Sequence, residues 1–470
     1  MNVACLFLII QILKCIYIAM KLIPIKYFTQ YYIYHCFDKS FYSCDEETYL
    51  QIKNNENLSQ IEHNKTKALL ELLSNKRKIS SKEIFSFPHF TRDCIIKSLA
   101  NVPHITLEIT EQCNLNCVYC CYGNLYRKIQ HNNAGDINRT VNFLKMLLNL
   151  RIQNNVNSDL RISFYGGEPL LRFDIIRACV DLSKKMLPNI KIKYAMTTNG
   201  VLLDKYKAFL IEHDFDICVS LDGNQENNSY RIFKNGKESF FDVVNCVNSL
   251  YKFNPLFFKN NISFSTVLHH KNDVISACRF FHEYDKIPTF SFLSSAGLKT
   301  TDKKFAIINS LHDYTDSEIQ DFKVNFPTIY KSFFGKSVDS ICNWGEDNYP
   351  KDLNDVSNND KFIYPGGSCF LFQNRVFITV NGDILLCEKS LRKYKFGKLS
   401  SKGFTIYTDR INSYYKDISS SYSTHCRDCY KCYSCLECYF SEEESIKSKK
   451  CFCDRSQAIN ELTQIIKSID

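Results

Sequence analysis

Residues 104–120 read HITLEITEQCNLNCVYC, and this stretch changes character halfway along. HITLEIT alternates apolar and polar side chains as a strand does, and a loop follows at once with Cys113, Cys117 and Cys120 in C-x3-C-x2-C spacing. Outward from it the rhythm is regular. INRTVNFLKMLLNL (137–150) has helical spacing, LRISFYGG (160–167) reads as strand, residues 174–187 as helix and KIKYAMTTNG (191–200) as strand. Residues 205–213 read as helix, DICVSLDG (216–223) as strand, 239–253 as helix, ISFSTVLHH (262–270) as strand, 273–285 as helix and TFSFLSS (289–295) as strand. Strands alternating with helices call for a parallel sheet curled into a full or partial βα barrel; an open doubly wound sheet stays as the alternative, because strand order is not written in sequence.

The 470 residues allow about three domains at roughly 150 residues each. Hydrophobic residues make up 45% and charged residues 23%, which excludes wholesale disorder, collagen-like repeats and a polytopic membrane protein. The net charge of +9 is spread along the chain without a long Lys/Arg block and calls for no nucleic-acid partner. Cysteine is the unusual residue: there are 23, with four in residues 113–121 and seven in 426–453. Disulfide scaffolds are usually small secreted domains without a core, whereas tight cysteine spacings in a long chain gather thiolates around metal.

In a βα barrel the chemistry gathers where strands end. The cysteine loop ends the first strand, Gly166-Gly167-Glu168-Pro169 the second, Thr198-Asn199-Gly200 the third, and Ser220-Leu221-Asp222-Gly223 the fourth. Three thiolates in one loop can hold three irons of a four-iron cluster and leave the fourth open. The paired glycines let backbone approach a ligand, and Glu168 can accept from a cationic amine. Cys179, Cys218, Cys246 and Cys278 read as buried thiols, and His269 and His270 as packed or solvated side chains closing the fifth strand.

The cysteine loop with Tyr119 before its last cysteine, followed by GGEP, TNG and SLDG, resembles the radical S-adenosylmethionine (SAM) superfamily across residues 104–295. The resemblance implies an α/β fold with a partial (β/α)6 barrel over residues 100–299. It implies that SAM chelates the open iron of a 4Fe-4S cluster held by Cys113, Cys117 and Cys120, and is cleaved reductively to a 5′-deoxyadenosyl radical. Gly166, Gly167 and Glu168 would face the methionine amine, and Tyr119, Asn199 and Ser220 would line the cofactor cleft. Arg231 resembles the arginine that pairs with the methionine carboxylate in the peptide-modifying branch.

Residues 363–455 resemble a SPASM domain, the auxiliary-cluster module of peptide maturases, opening with Cys369 and Gly382-x4-Cys387. Cys426, Cys429, Cys432, Cys435, Cys438, Cys451 and Cys453 follow, and nine tail cysteines suffice for two four-iron clusters with one to spare. Cys438 arrives one residue earlier than in the family pattern, which leaves open whether Cys432, Cys451 or Cys453 completes the set; a zinc ribbon over 426–438 is the alternative. Arg375 stands where sulfatase-maturing relatives carry a further cysteine. Glu388 stands where they carry an aspartate proposed as base, which makes it a candidate general base.

The expected function is therefore a radical SAM oxidoreductase that installs a cross-link, thioether above the other bonds, in a ribosomally made, cysteine-containing precursor peptide. A flavodoxin or ferredoxin would serve as low-potential electron donor. The alternatives are a formylglycine-forming sulfatase maturase, which Arg375 and Glu388 disfavour, and a non-catalytic metal-binding scaffold. Residues 21–95 read as a small α+β unit, with strand-prone stretches KYFTQYYIYHCF (26–37) and SFYSCDEETYL (40–50) around the turn Asp38-Lys39 and a helix over 59–78; the resemblance to peptide maturases implies that a leader peptide adds a strand to its sheet. Residues 300–362 form a bridging segment and 456–470 a terminal helix. The apolar residues 3–20, interrupted by Gln11 and Lys14, read as a membrane anchor, a buried element, or the product of an upstream start with Met20 as initiator. Reduced thiols favour the cytoplasm.

Overall fold

The computed structural model describes residues 22–27, 29–35, 40–54, 66–67, 89–120, 133–291, 293, 303–310, 312, 314–327, 370–390 and 392–425. Residues 90–329 with 368–412 form one compact unit, and the remaining residues fall in a second. The apolar 3–20 stretch and nearly all of the expected 59–78 helix lie outside the described residues. No helix among those described is long and apolar enough to cross a membrane.

The second unit contains a three-stranded antiparallel meander, β1 (Leu22–Tyr27), β2 (Gln30–His35) and β3 (Ser40–Cys44), followed by α1 (Glu46–Asn54). The sequence pattern ran strand character on through residue 50. The chain turns helical at Glu46 instead, because the Asp45 carboxylate accepts from the Thr48 N–H at 2.9 Å and caps the first turn. The helix then turns Tyr49 toward Tyr31, their ring centroids 5.1 Å apart.

The first unit opens with α2 (Arg92–Asn101), whose start is capped by Thr91 accepting from the Cys94 N–H. The alternating series follows as expected: β4 (His104–Thr110), α3 (Ile137–Gln153), β5 (Leu160–Gly166), α4 (Phe173–Met186), β6 (Ile192–Thr198), α5 (Leu203–Glu212) and β7 (Asp216–Ser220). It continues through α6 (Phe240–Phe253), α7 (Pro255–Asn261), β8 (Ile262–Val267), α8 (Val274–His282) and β9 (Thr289–Ser291), with α9 (Lys303–Ile308) and α10 (Asp316–Asn325) after it. Strands β4 to β9 pair in parallel, each beside its predecessor in sequence. A doubly wound sheet reverses its strand order at a switch point; this one does not, and its parallel-rich sheet is consistent with a partial barrel.

The two sheet faces divide by chemistry. Ile105, Leu107, Ile162, Phe164, Met196, Ile217, Val219 and Phe264 are buried on one face, under the helices. The alternate positions His104, Thr106, Arg161, Ser163, Thr197, Asp216 and Cys218 line a cavity on the other. The first strand's outer edge is taken by β10 (Val376–Ile378), parallel to β4 with Val376 opposite Ile105. From β10 an antiparallel meander runs through β11 (Asp383–Leu385), β12 (Gly397–Ser400) and β13 (Gly403–Ile406), and then α11 (Thr408–His425) follows. Residues expected in a separate tail thus continue the barrel's own sheet, and they cover what would otherwise be an unpaired edge.

Arg151 is the largest fully buried polar side chain. It closes the end of α2 by donating to the carbonyls of Ala100 (3.2 Å) and Val102 (2.8 Å), and it reaches Ser158 O at 2.9 Å. Replacing Arg151 with Met keeps the buried stem but leaves these carbonyls without donors. The variant is expected to lose about 3 kcal/mol in denaturant unfolding, a value set by charged hydrogen bonds and unsatisfied acceptors.

Candidate active site

The C-terminal ends of β4 to β8 meet around the cysteine loop. Its entry segment, residues 110–112, runs against the GGE backbone: Gly167 N donates to Thr110 O at 2.9 Å and Glu168 N to Gln112 O at 2.8 Å. A Cβ on Gly166 (φ +148°) would lie 2.0 Å from Thr110 O, and one on Gly167 would lie 2.2 Å from Gln112 O. The glycines are therefore required for a close approach to the chain's own backbone.

Glu168 has no solvent exposure. One carboxylate oxygen accepts from Thr198 Oγ1 (2.8 Å) and Leu170 N (3.0 Å), and the other from Asn199 N (2.7 Å). Burial raises its pKa to about 6 in spite of these donors. Glu168, read from sequence as facing an amine, turns inward and welds the ends of β5 and β6. Asn199 continues the chain of contacts, its Nδ2 donating to Asn114 Oδ1 at 2.8 Å and lying 3.7 Å from Cys113 Sγ.

On its other side the loop is pinned by residues 230–233. Asn116 N donates to Ile232 O at 2.7 Å and Val118 N to Tyr230 O at 3.0 Å. Between these two anchors the Arg231 guanidinium grips Asp222, Nε to Oδ2 at 3.0 Å and Nη2 to Oδ1 at 2.9 Å. Asp222 is fully buried and also accepts from Val267 N (3.0 Å) and from the Tyr119 hydroxyl. Burial is the largest influence on Asp222 and opposes its ionisation, yet Arg231 and His269 together outweigh it and hold the carboxyl down at about 2. Arg231 was expected to face a cofactor carboxylate; Nε and Nη2 are committed to Asp222, and Nη1 is the nitrogen outside that pair. Ser220 ends β7 half-buried, in alternation with Asp216 and Cys218 on the cavity face.

The thiols of Cys113 and Cys117 are pushed up by burial to about 11 and about 12, and the charge of Cys120 acts on both. Among the described residues no three His, Cys, Asp or Glu side chains crowd together as a single ion requires. Three thiols sharing one mouth in cluster-type spacing fit a four-iron cluster, whose cube spreads its ligands more widely, and bound iron would supply the charge that ionises them. Cys369 and the cysteines from Cys426 to Cys453 lie outside the described residues, as does Cys121.

The polar cavity, about 210 Å³, lies toward the opposite, N-terminal half of the strands. It is lined by His104, Arg161, Asp216 and Cys218, and by Arg375 and Glu388 from the β10–β11 meander. Arg161 pairs with Asp216 at 2.9 Å and Arg375 with Glu388 at 3.2 Å. Glu388, read from sequence as a base, is thus an ion-paired carboxylate at this cavity. Cys179 and Cys278 are buried as expected, whereas Cys218 and Cys246 are half-buried. Sequence reasoning undervalued Asp222, although its position in SLDG, nine residues before an arginine, carried the signal.

Residues 107–275 match the radical SAM superfamily. The chain is 28% identical over 314 residues to an uncharacterized protein of Methanocaldococcus jannaschii, covering 64% of this chain and 93% of that one. It is 28% identical over 182 residues to the radical SAM cyclopropyl synthase TigE of Paramaledivibacter caminithermalis, 37% of each chain. It is 32% identical over 146 residues to the serine-type anaerobic sulfatase-maturating enzyme of Bacteroides thetaiotaomicron, 30% of this chain and 34% of that one. The chain thus spans about a third of the length of these last two. Native anSMEcpe with bound AdoMet shares the fold, with TM-score 0.53 and 19% identity over 78% of this chain and 97% of that one. The same enzyme with AdoMet and the Cp18Cys peptide aligns with TM-score 0.51 and 17% identity, over 78% and 98%.

Two outcomes are expected from this geometry. Glu168→Gln must turn an NH2 toward one of the three donors, so it should lose about 2 kcal/mol in stability and hold less iron after anaerobic reconstitution, read by colorimetric assay. Burial first, then the charges of Arg375 and Arg161, lower the His104 pKa from 6.5 to about 4. Because the folded pKa is depressed, the fold prefers neutral His104, and that contribution is lost as pH falls from 6.5 through about 4. His104→Gln should therefore show a smaller drop in Tm between pH 7 and pH 4 than the parent protein.

Proposed function

We propose that this chain, a radical SAM enzyme related to peptide and sulfatase maturases, modifies a ribosomally made precursor peptide by installing a cross-link, with a thioether to cysteine as the favoured product. The observation that carries the reading is the convergence of Cys113, Cys117 and Cys120 with GGEP, Asn199 and the Asp222–Arg231 pair at one mouth of a polar-lined barrel. With SAM bound, a cluster held there would supply the single electron that cleaves SAM and so make hydrogen-atom abstraction from a carbon centre available. The protein's own contribution is to hold the three thiolates, shape the SAM cleft with Tyr119, Asn199, Ser220 and Arg231, and offer the strand interior to the substrate. The polar lining around His104, Ser163 and Thr197 suits a peptide segment with hydrogen-bonding groups of its own.

In this reading residues 363–455 carry two auxiliary clusters on Cys369, Cys387 and the cysteines from Cys426 to Cys453, and a flavodoxin or ferredoxin in the cytoplasm supplies electrons. The meander β1–β3, with β1 and β3 as its edge strands, is the element on which a leader peptide adds a strand. Glu388 becomes a base when substrate draws Arg375 away from it. The second reading, oxidation of a sulfatase Cys or Ser to formylglycine, has support of its own in the match to the sulfatase-maturating enzyme and in the shared fold.

The Cys113→Ala, Cys117→Ala, Cys120→Ala triple variant is expected to make no 5′-deoxyadenosine from SAM under dithionite while it retains the iron of the auxiliary clusters; undiminished 5′-deoxyadenosine refutes the assignment. Mass spectrometry of the candidate substrates separates the two readings. A thioether removes two hydrogens and abolishes alkylation of one cysteine, whereas formylglycine is captured by hydrazide reagents.

A further inference from the structure

The network beneath the cysteine loop does more than stabilise it. Tyr119 lies between Cys117 and Cys120, is 6% exposed, and gives its hydroxyl to Asp222. The Arg231 guanidinium, 7% exposed, stacks over the same ring at 5.4 Å and gives Nε and Nη2 to the same carboxylate. One carboxylate thus holds both the aromatic that carries two thiols and the arginine whose charge reaches Cys117.

His269 completes the ring. It has no exposure, its ring lies 5.5 Å from Tyr119, and its Nδ1 accepts from Lys271 N at 3.2 Å. The ring proton of the neutral imidazole is therefore on Nε2, which has no hydrogen-bond partner among the described residues and lies 3.7 Å from Asp222 Oδ2. Val267 N, at the end of β8, donates to the other oxygen. Asp222 is held from β7, β8, the cysteine loop and the 230–233 segment at once.

Resting on the radical SAM reading, we propose that Asp222 is the positioning residue that couples the cluster loop to the SAM cleft, by fixing Tyr119 and by fixing Arg231 so that its remaining nitrogen, Nη1, is held toward the cleft. The hold is a two-point grip: Nε and Nη2 on the carboxylate remove the guanidinium's freedom to rotate, so Nη1 has one direction left to it. Loss of the carboxylate releases both dependents together. Loss of the Tyr119 hydroxyl releases only the loop and leaves the arginine in place. His269, whose N–H faces Asp222 from beyond hydrogen-bond distance, bounds the space into which that carboxylate could shift.

The test uses the full-length protein, reconstituted anaerobically, with SAM as probe. Asp222→Asn should retain the iron of the radical cluster, bind SAM at least tenfold more weakly by calorimetry, and fail to give the SAM-dependent change in the EPR signal of the reduced cluster. Tyr119→Phe should weaken SAM binding by less than Asp222→Asn does, with an altered EPR signal before SAM is added. Wild-type SAM affinity and wild-type spectra in Asp222→Asn overturn the proposal. If Asp222→Asn does not fold, Tyr119→Phe decides alone, and an EPR signal identical to the parent's overturns the coupling. A parent protein that binds no SAM would instead refute the radical SAM reading, so the two failures are distinguishable.

Discussion

A parallel sheet has to stop, and beyond its last ladder bonds the backbone N–H groups of each strand need acceptors in a place that water does not reach. In this protein two buried carboxylates meet that need. Glu168 takes the N–H groups of Leu170 and Asn199, and Asp222 takes that of Val267. A buried carboxylate is costly unless every lone pair is used, so each fixes the donors around it as firmly as they fix it. Glu168 joins β5 to β6 and Asp222 joins β7 to β8. The cysteine loop hangs between them, tied to the first through Asn199 and to the second through Tyr119.

This arrangement separates the barrel into two working ends. At the C-terminal mouth the two carboxylates and their donors are buried and hydrogen-bonded to one another, with His269 Nε2 left outside the network, which suits a site that must hold thiolates and a charged ligand in one geometry. Toward the N-terminal half the interior is partly open, and its charges are matched in pairs, Arg161 with Asp216 and Arg375 with Glu388. That half can exchange its internal pairs for a ligand's groups, because neither pair is buried.

The sequence made the order of elements legible because each strand and helix is a local pattern, and the cysteine loop legible because metal chemistry dictates spacing. What each motif touches was not legible. The two glycines of GGEP suit close approach to anything, and only the register Thr110↔Gly166 shows that the neighbour is the chain's own residues 110–112. Glu168 in a loop looks available, and it turns inward only because three donors from β6 and from its own turn surround it. The pairing of β10 with β4 joins Val376 to Ile105 across most of the barrel's sequence, and no local pattern specifies such a contact. At Glu46 the failure was one of competition: strand-prone residues on one side lost to a capping Asp45.

Arg375 and Glu388 stand thirteen residues apart in the sequence, and the fold presents them as one object. Arg375 adds a positive charge to a wall that already carries Arg161. A lone second cation there would raise the potential against both Arg161 and His104. The Glu388 carboxylate reaches that charge, with both oxygens within 3.2–3.4 Å of Arg375 Nη1. Because only one guanidinium nitrogen is engaged and both groups are partly exposed, the pair balances charge without locking the wall. The same pair therefore offsets the charge of the arginine and leaves the wall able to rearrange.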